Sequence, residues 1–212
     1  MNYNELEQIL SRKIKHAKTE IIGLSVLNRY IYSVFFDFNS KYTVIIQGAI
    51  HAREHITTSL ICKLIFDVSN NYEKYKVMGT PNIVFIPMVN PDGVELCYHG
   101  LKSVKDRKRR KYLLKVNKSK DFSLFKANAN CVDLNTNFDA KWGIGKENKF
   151  VPSPSDYIGS SPMSEPEVQA ISRETIKRKA SFTISYHSKG QEIYYKFFKY
   201  SQHINGGNYE KR

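Results

Sequence analysis

Residues 48–55, Gly-Ala-Ile-His-Ala-Arg-Glu-His, constrain the fold of this chain more than any other segment. They follow an apolar run at residues 42–46 and precede a helical pattern of apolar residues at 56–68. The segment therefore lies where a strand gives way to a helix. His51 and Glu54 stand three residues apart at this junction, so both side chains can point at one site. Open α/β sheets bind their ligands at such strand ends.

This pair has the chemistry of a metal site. Neutral imidazole and carboxylate are good zinc ligands, and a catalytic zinc usually takes three protein ligands plus a water. A third ligand must therefore come from elsewhere in the chain. His187 is the best candidate, because it ends another apolar run at residues 181–187 and is followed by Ser188. The sequence predicts one Zn²⁺ per chain, bound by His51, Glu54 and His187.

The same residues allow a different zinc motif. His51 to His55 matches His-x-x-Glu-His, the inverted zinc-peptidase motif, in which both histidines bind the metal and Glu54 is the base. That arrangement requires the motif to lie within a helix. Val44-Ile45-Ile46 closely precedes it and is typical of a strand. We therefore favour His51 and Glu54 as ligands and place His55 on the neighbouring helix.

The apolar pattern predicts an α/β fold with a mixed, mostly parallel central sheet and helices on both faces. Helices are predicted at residues 3–17, 54–68 and 164–179, the last from the capping-box pattern of Ser164 and Glu167. Strands are predicted at residues 31–38, 42–50, 82–89, 181–187 and 192–198, with a short strand or extended segment at 132–138. A turn is predicted at 90–93, no firm element at 100–130, and a frayed tail at 201–212. No linker divides the chain, so we expect a single domain over residues 1–212.

The net charge of +13 is partly local. Residues 105–120 carry nine Lys or Arg residues against one acid, Asp106. Such a run is most often a solvated basic loop, and contact with an anionic polymer is the alternative. The run lacks the interleaved aromatics of a single-strand binder and any DNA-reading motif. No specific nucleic-acid partner is therefore expected.

Cysteine content and hydropathy exclude two further classes of protein. Three cysteines without metal-type spacing, Cys62, Cys97 and Cys131, predict isolated thiols rather than a disulfide scaffold. No apolar run approaches the ~20 residues that span a membrane. The N-terminal residues lack a secretory pattern. We therefore expect a cytoplasmic protein with no membrane span.

An ordered set of motifs gives the chain a family resemblance. The motifs lie at residues 48–54, 89–93, 132–138, 157–159 with 164–167, and 185–188. In this order they resemble a zinc carboxypeptidase of the carboxypeptidase A type, over roughly residues 20–198. Residues 125–128, Phe-Lys-Ala-Asn, and 188–195 look most like the bacterial branch that cuts γ-D-glutamyl-diamino acid bonds in cell-wall peptides.

The resemblance implies roles for particular side chains. His51, Glu54 and His187 would bind zinc, and Arg53 would contact the substrate. Lys126 falls near where the family often has an Arg that polarises the scissile carbonyl; a Lys offers only a point charge there. Asn135 matches a residue of the pocket for the terminal carboxylate, and Thr136 stands where its Arg partner is usual.

The general base of the family has no match in this sequence. The family places that Glu well beyond the last zinc His, whereas here Glu192 lies too near His187 and Glu210 lies in the tail. The chain resembles a C-terminally shortened member that lacks the last strands of the sheet. The expected function is a zinc metallopeptidase that hydrolyses peptide or γ-glutamyl amide bonds, its substrate a peptide derived from cell walls. The alternatives are a non-catalytic remnant that binds zinc or a polyanion, and a zinc-dependent amide deacylase.

Overall fold

The structure of the protein is a computed structural model that describes residues 1–189 and Ile193. The strands are β1 (Ala17–Leu24), β2 (Tyr30–Phe36), β3 (Thr43–Gln47), β4 (Asn82–Ile86) and β5 (Phe182–Ser185). The α-helices are α1 (Tyr3–Leu10), α2 (Ile56–Asn70), α3 (Tyr72–Val77), α4 (Pro91–His99), α5 (Arg107–Asn117) and α6 (Pro166–Lys177).

The described strands form one mixed sheet in the order β1-β2-β4-β3-β5. β3 pairs in parallel with both β4 and β5, whereas β2 pairs antiparallel with both β1 and β4. Only β2 therefore runs against the other described strands. The predicted mixed, mostly parallel sheet is confirmed.

Both faces of this sheet are covered at its central strands. Side chains alternate along a strand, so Ile83 and Phe85 of β4 face one side while Val84 and Ile86 face the other. The first face packs against α1 and α2, through residues that include Leu6, Ile61 and Ile65. The second packs against α6, through Val168 and Ile171. The expectation of helices on both faces is confirmed.

The first helix is shorter than its spacing predicts. It ends at Leu10 rather than at residue 17, and residues 17–24 form β1, which was not predicted. β1 pairs with β2 along most of its length, with a register shift between Ile21 and Gly23. This pairing is a tertiary interaction that the local sequence does not encode.

The turn predicted at residues 90–93 is wrong, because these residues begin α4. The Asn90 side chain accepts a hydrogen bond from Gly93 N at 2.9 Å, and Pro91 occupies the first turn. Asn and Pro favour helix starts as well as turns, because the same side-chain acceptor and fixed φ serve both. Here the helix continues to His99.

The basic run is a helix rather than a loop. Asp106 caps α5 by accepting from the backbone N–H groups of Lys108 and Arg109, and Leu113 is fully buried.

The short α3 was also not predicted. Residues 132–138 form no strand; they contain one 3-10 turn, Leu134–Thr136. α3 has no buried residue and α5 has only Leu113, so neither helix shows a continuous apolar face in the sequence.

The remaining elements differ in their ends. β3 and β4 are shorter than the predicted strands at 42–50 and 82–89, and β5 lies within 181–187. The capping box predicted at Ser164 and Glu167 is wrong: the N-cap residue of α6 is Glu165, and no side-chain cap forms. The predicted strand at 192–198, apart from Ile193, and the predicted tail at 201–212 lie outside the described residues.

The three cysteines are free thiols, as predicted. Within the described part of the chain, no helix combines the length and apolarity needed to cross a membrane. The single-domain organisation over residues 1–212 and the cytoplasmic location stay predictions.

Candidate metal centre

Two neighbouring strands deliver the proposed ligands to one edge of the sheet. β3 and β5 are parallel partners with Gln47 opposite Ser185, so their carboxyl ends coincide. His51 follows the end of β3, and His187 follows the end of β5. Glu54 is presented by the short 3-10 turn Ala52–Glu54 that leads into α2. The predicted position at the carboxyl ends of the strands is therefore the observed one.

The strand-to-helix junction is tightly packed. The Thr57 hydroxyl donates to Glu54 O and accepts from Ala49 N, each at 2.7 Å, which ties the strand end to the helix start. A Cβ on Gly48 would lie 2.7 Å from Ile61 Cδ1 and 2.9 Å from Thr57 Oγ1. Glycine at this position therefore permits the close approach that sets the His51–Glu54 geometry.

Three donor atoms converge at this junction. His51 Nδ1 lies 3.2 Å from Glu54 Oε1 and 3.2 Å from His187 Nδ1, and His187 Nδ1 lies 2.9 Å from Glu54 Oε2. Tetrahedral zinc with bonds of about 2.0–2.1 Å places neighbouring ligand atoms about 3.3 Å apart. Donor types and spacing therefore both fit a zinc ion.

The centre is closed on one side and open on the other. His51 is 6% exposed and Glu54 3% exposed, whereas the His187 side chain is 31% exposed. A catalytic zinc keeps one coordination position open to water or substrate. The exposed flank beside His187 provides that access.

The electrostatics of the centre favour a cation. Burial alone would raise the pKa of Glu54, but the adjacent His187 and His51 hold this pKa well below its usual range. Burial also disfavours protonated His51, yet Asp133 and Glu54 outweigh it and raise the pKa of the ring. Asp133 and Glu54 therefore favour positive charge at this position. A divalent cation would supply such a charge.

Asp133 is a residue of the candidate site that sequence reasoning missed. It is fully buried, and its Oδ1 lies 3.3 Å from His51 Nε2, on the side of the ring opposite the donor atom. A histidine that binds a metal usually presents its second ring nitrogen to a carboxylate or carbonyl, which fixes the tautomer. Burial would raise the pKa of Asp133, but His51 and Lys126 hold it at about 2. The motif Val-Asp-Leu-Asn at residues 132–135 was the sequence feature that could have revealed Asp133.

Lys126 lies behind Asp133. Its Nζ is 2.7 Å from Asp133 Oδ2 and 3.0 Å from Asp156 Oδ1, and its side chain is 16% exposed. Two carboxylates therefore hold the ammonium that was expected to polarise the scissile carbonyl. That catalytic role stays a prediction.

The expected substrate residues lie around the centre. Asn135 is exposed, and the Thr136 hydroxyl donates to Asp133 O at 2.9 Å within the 3-10 turn Leu134–Thr136. Arg53 and Glu54 line a pocket together with Ser123, Leu124, Ser188 and Lys189. The pocket therefore opens beside a proposed ligand. The substrate-binding roles of Arg53, Asn135 and Thr136 stay predictions.

His55 points away from the three donors. Its Nδ1 lies 3.1 Å from Tyr98 Oη, and the two rings are 4.5 Å apart. α2 begins only at Ile56, so the motif precedes the helix. The cluster of possible ligands among residues 1–189 contains His51, Glu54 and His187 without His55. The geometry therefore favours this set over the inverted motif. Glu192 and Glu210, weighed as general bases, lie outside the described residues.

Two histidines and one glutamate are the zinc ligands of metallopeptidases of the carboxypeptidase A type, and here they lie at the carboxyl ends of strands in a mixed α/β sheet. The sequence profile of the family described as zinc carboxypeptidase matches residues 3–211. The chain belongs to the zinc carboxypeptidase family.

Individual relatives agree with this membership. Gamma-D-glutamyl-L-diamino acid endopeptidase 1 of Lysinibacillus sphaericus is 32% identical over 186 residues, covering 83% of this chain and 46% of that protein. Inactive metallocarboxypeptidase ecm14 of Schizosaccharomyces pombe is 26% identical over 173 residues, covering 80% of this chain and 31% of that protein. The chain therefore spans about half the length, or less, of these relatives.

A solved structure supports the fold. Bovine thrombin-activatable fibrinolysis inhibitor, in complex with tick carboxypeptidase inhibitor, superposes with a TM-score of 0.71 at 22% identity. The superposition covers 97% of this chain and 66% of that one. At this identity the likeness establishes the architecture alone.

Proposed function

We propose that this chain is a zinc-dependent metallopeptidase that holds one Zn²⁺ through His51, Glu54 and His187. The convergence of their three donor atoms at the carboxyl ends of β3 and β5 carries the proposal. Bound zinc would supply an acidified water and a Lewis acid for the scissile carbonyl. The chain's own contribution is to orient His51 through Asp133 and to leave the flank beside His187 open.

We further propose that the substrate is a γ-D-glutamyl amide of a cell-wall peptide. The name of the 32% identical endopeptidase supports this class of substrate. A γ-linked glutamyl residue keeps its α-carboxylate free close to the scissile bond. The pocket beside Glu54 offers two cations, Arg53 and Lys189, and neither has an acidic partner within the described part of the chain. An unpaired guanidinium in a pocket suits a substrate carboxylate.

Zinc content and hydrolysis of a γ-D-glutamyl-diamino acid peptide, measured with and without chelator, test this function together. We expect one zinc per chain and cleavage that the chelator abolishes. Absence of zinc would overturn the proposed site. Chelator-insensitive cleavage would overturn its role in the reaction.

A zinc-binding chain without turnover is the second candidate. Three acidic side chains of the site are engaged: Glu54 with the two histidines, Asp133 with His51 and Lys126, and Asp156 with Lys126 and Lys149. None of these three is free to take a proton from water. Loss of a general base costs roughly 10²–10⁴-fold in rate. Full zinc occupancy without detectable cleavage would establish this candidate.

The position of Thr136 favours a third candidate, a zinc-dependent amide deacylase. Its hydroxyl donates to Asp133 O at 2.9 Å, and it cannot bind a substrate carboxylate through two hydrogen bonds as an arginine would. A requirement for a terminal carboxylate is therefore weakened. Chelator-sensitive turnover of an N-acyl amino acid, with the γ-D-glutamyl peptide left intact, would select the deacylase.

A further inference from the structure

Lys126 holds the candidate metal centre with both its backbone and its side chain. The carbonyl of Lys126 accepts from Ala52 N at 3.1 Å, and the neighbouring carbonyl of Phe125 accepts from Arg53 N at 3.0 Å. Two backbone hydrogen bonds thus attach the turn that carries His51 and Glu54 to residues 125–126. From the same residue, the ammonium reaches Asp133 Oδ2 at 2.7 Å.

The two oxygens of the Asp133 carboxylate have different partners, His51 for Oδ1 and Lys126 for Oδ2. Oδ1 lies 3.3 Å from His51 Nε2 and also accepts from Asn135 N, while Oδ2 meets Lys126 Nζ and accepts from Asp156 N at 3.1 Å. A fully buried carboxylate needs a counter-charge and hydrogen-bond donors to stay in one position. Lys126 is the only Lys or Arg that forms an ion pair with Asp133 within residues 1–189.

We propose that Lys126 is a positioning residue for the metal centre: it fixes the Asp133 carboxylate against His51 and thereby raises zinc affinity. This inference rests on the proposed zinc site. It assigns Lys126 a role different from polarising the scissile carbonyl. An ammonium held at 2.7 and 3.0 Å by two carboxylates would have to abandon Asp133 in order to reach a substrate.

Zinc affinity, measured by competition with a chromophoric chelator, tests the inference without any need for turnover. We expect Lys126→Met to weaken zinc binding about tenfold, since loss of an outer-shell partner costs about 10–100-fold in metal affinity. Lys126→Arg, which keeps the charge, should recover most of that loss. Lys149→Met is the matched control: Lys149 contacts the same Asp156 at 3.4 Å but forms no ion pair with Asp133 in the described structure. It should bind zinc as the wild type does.

A double-mutant cycle shows whether Lys126 acts through Asp133. Asp133→Asn should weaken zinc binding at least as much as Lys126→Met, and the double variant should bind no more weakly than Asp133→Asn alone. The absorption bands of the cobalt-substituted protein should shift in Lys126→Met and return in Lys126→Arg. Lys126→Gln replaces Lys126→Met, with the same expectation, should the latter not fold.

The outcomes separate the two proposals. A wild-type chain that binds no zinc overturns the proposed function and this inference with it. Zinc binding by the wild type that is unchanged in Lys126→Met, or losses that simply add in the double variant, overturn the inference alone. Unchanged zinc affinity with a fall in peptide cleavage would return Lys126 to the carbonyl-polarising role.

Discussion

At the scale of single residues, the ligand set could be predicted but its support could not. His51 and Glu54 are neighbours in sequence, and His187 ends an apolar run, so residue type and position reveal all three. The contacts of Asp133 with His51 and Lys126 join loops that show no periodicity. Contacts of this kind depend on the tertiary fold, which a single sequence does not display.

The first prediction concerns the ligands. His187→Ala should lose its zinc, because two donors cannot hold the ion as three do. His55→Ala is the matched control, since the inverted motif would make His55 a ligand and the structure turns it toward Tyr98. Zinc per chain, measured on both purified variants, should be near zero for the first and at the wild-type level for the second. The reverse pattern would establish the inverted motif.

The second prediction concerns the glycine at the junction. Gly48→Ala places a Cβ 2.7 Å from Ile61 Cδ1 and should lower the free energy of unfolding by roughly 1–3 kcal/mol, as overpacking does. Zinc affinity should fall as well, because the junction sets the His51–Glu54 geometry. Thermal unfolding and zinc titration measure the two effects.

Gly79→Ala provides the comparison for that variant. Gly79 has a φ of +70°, and no atom lies within 4 Å of an added Cβ. Its replacement introduces backbone strain without a clash, so stability should fall while zinc affinity stays at the wild-type level. Equal zinc affinities for Gly48→Ala and the wild type would contradict the role assigned to the junction.

At the scale of elements, periodicity predicted those that bury a continuous apolar face. β2, β3 and β4 were found because their apolar runs are largely buried in the sheet. β5 was found from its apolar sequence, although it is an edge strand with mostly exposed residues. α5 was missed because its apolar side is narrow and its remaining positions are cationic, so the charge pattern dominated. β1 was missed because its strand character arises from pairing with β2.

The third prediction concerns α6 and its buried Glu167. Glu167 is fully buried and accepts from Val26 N at 3.2 Å and from Asn128 Nδ2 at 3.1 Å. Burial, and then the nearby Asp92, raise its pKa from 4.5 to about 8. The folded state therefore holds a proton that the unfolded state releases above about pH 4.5. The stability contributed by this proton is complete below that pH and is lost as the pH rises through about 8.

Glu167→Gln tests this dependence, because the amide is neutral at every pH. Between about pH 5 and 8, the free energy of unfolding should decrease less steeply with pH in the variant than in the wild type. Urea unfolding across that range measures the two slopes. Glu147→Gln, at an exposed glutamate, is the control. Identical slopes for the wild type and Glu167→Gln would mean that Glu167 is ionised throughout.

At the scale of the whole molecule, part of the net charge of +13 lies on one surface, formed by α5 and its flanks. Two cations of α5 serve the fold: Arg109 donates to Asn130 Oδ1 at 2.9 Å, and Arg110 donates to Val104 O. Others are exposed on the helix and its flanks, namely Lys105, Arg107, Lys108, Lys111, Lys115, Lys118 and Lys120. Asp106, the acid of this segment, is engaged as the N-cap. The exposed cations form an uncompensated surface that would suit an anionic polymer.

The last prediction compares this surface with an equal charge change elsewhere. Replacing Lys108, Lys111 and Lys115 by Glu should abolish binding to polyphosphate, used as a defined anionic polymer. The same replacement of Lys63, Lys74 and Lys76, which are exposed on α2 and α3, alters the net charge equally. That control should retain most of the binding, because we expect the polymer to contact α5 directly. Exposed charges farther away than about 10 Å are largely screened at 0.1 M salt. Fluorescence titration at several salt concentrations measures both variants. Equal losses in the two would show that net charge alone attracts the polymer, and undetectable binding by the wild type at low salt would show that α5 is a solvated basic helix.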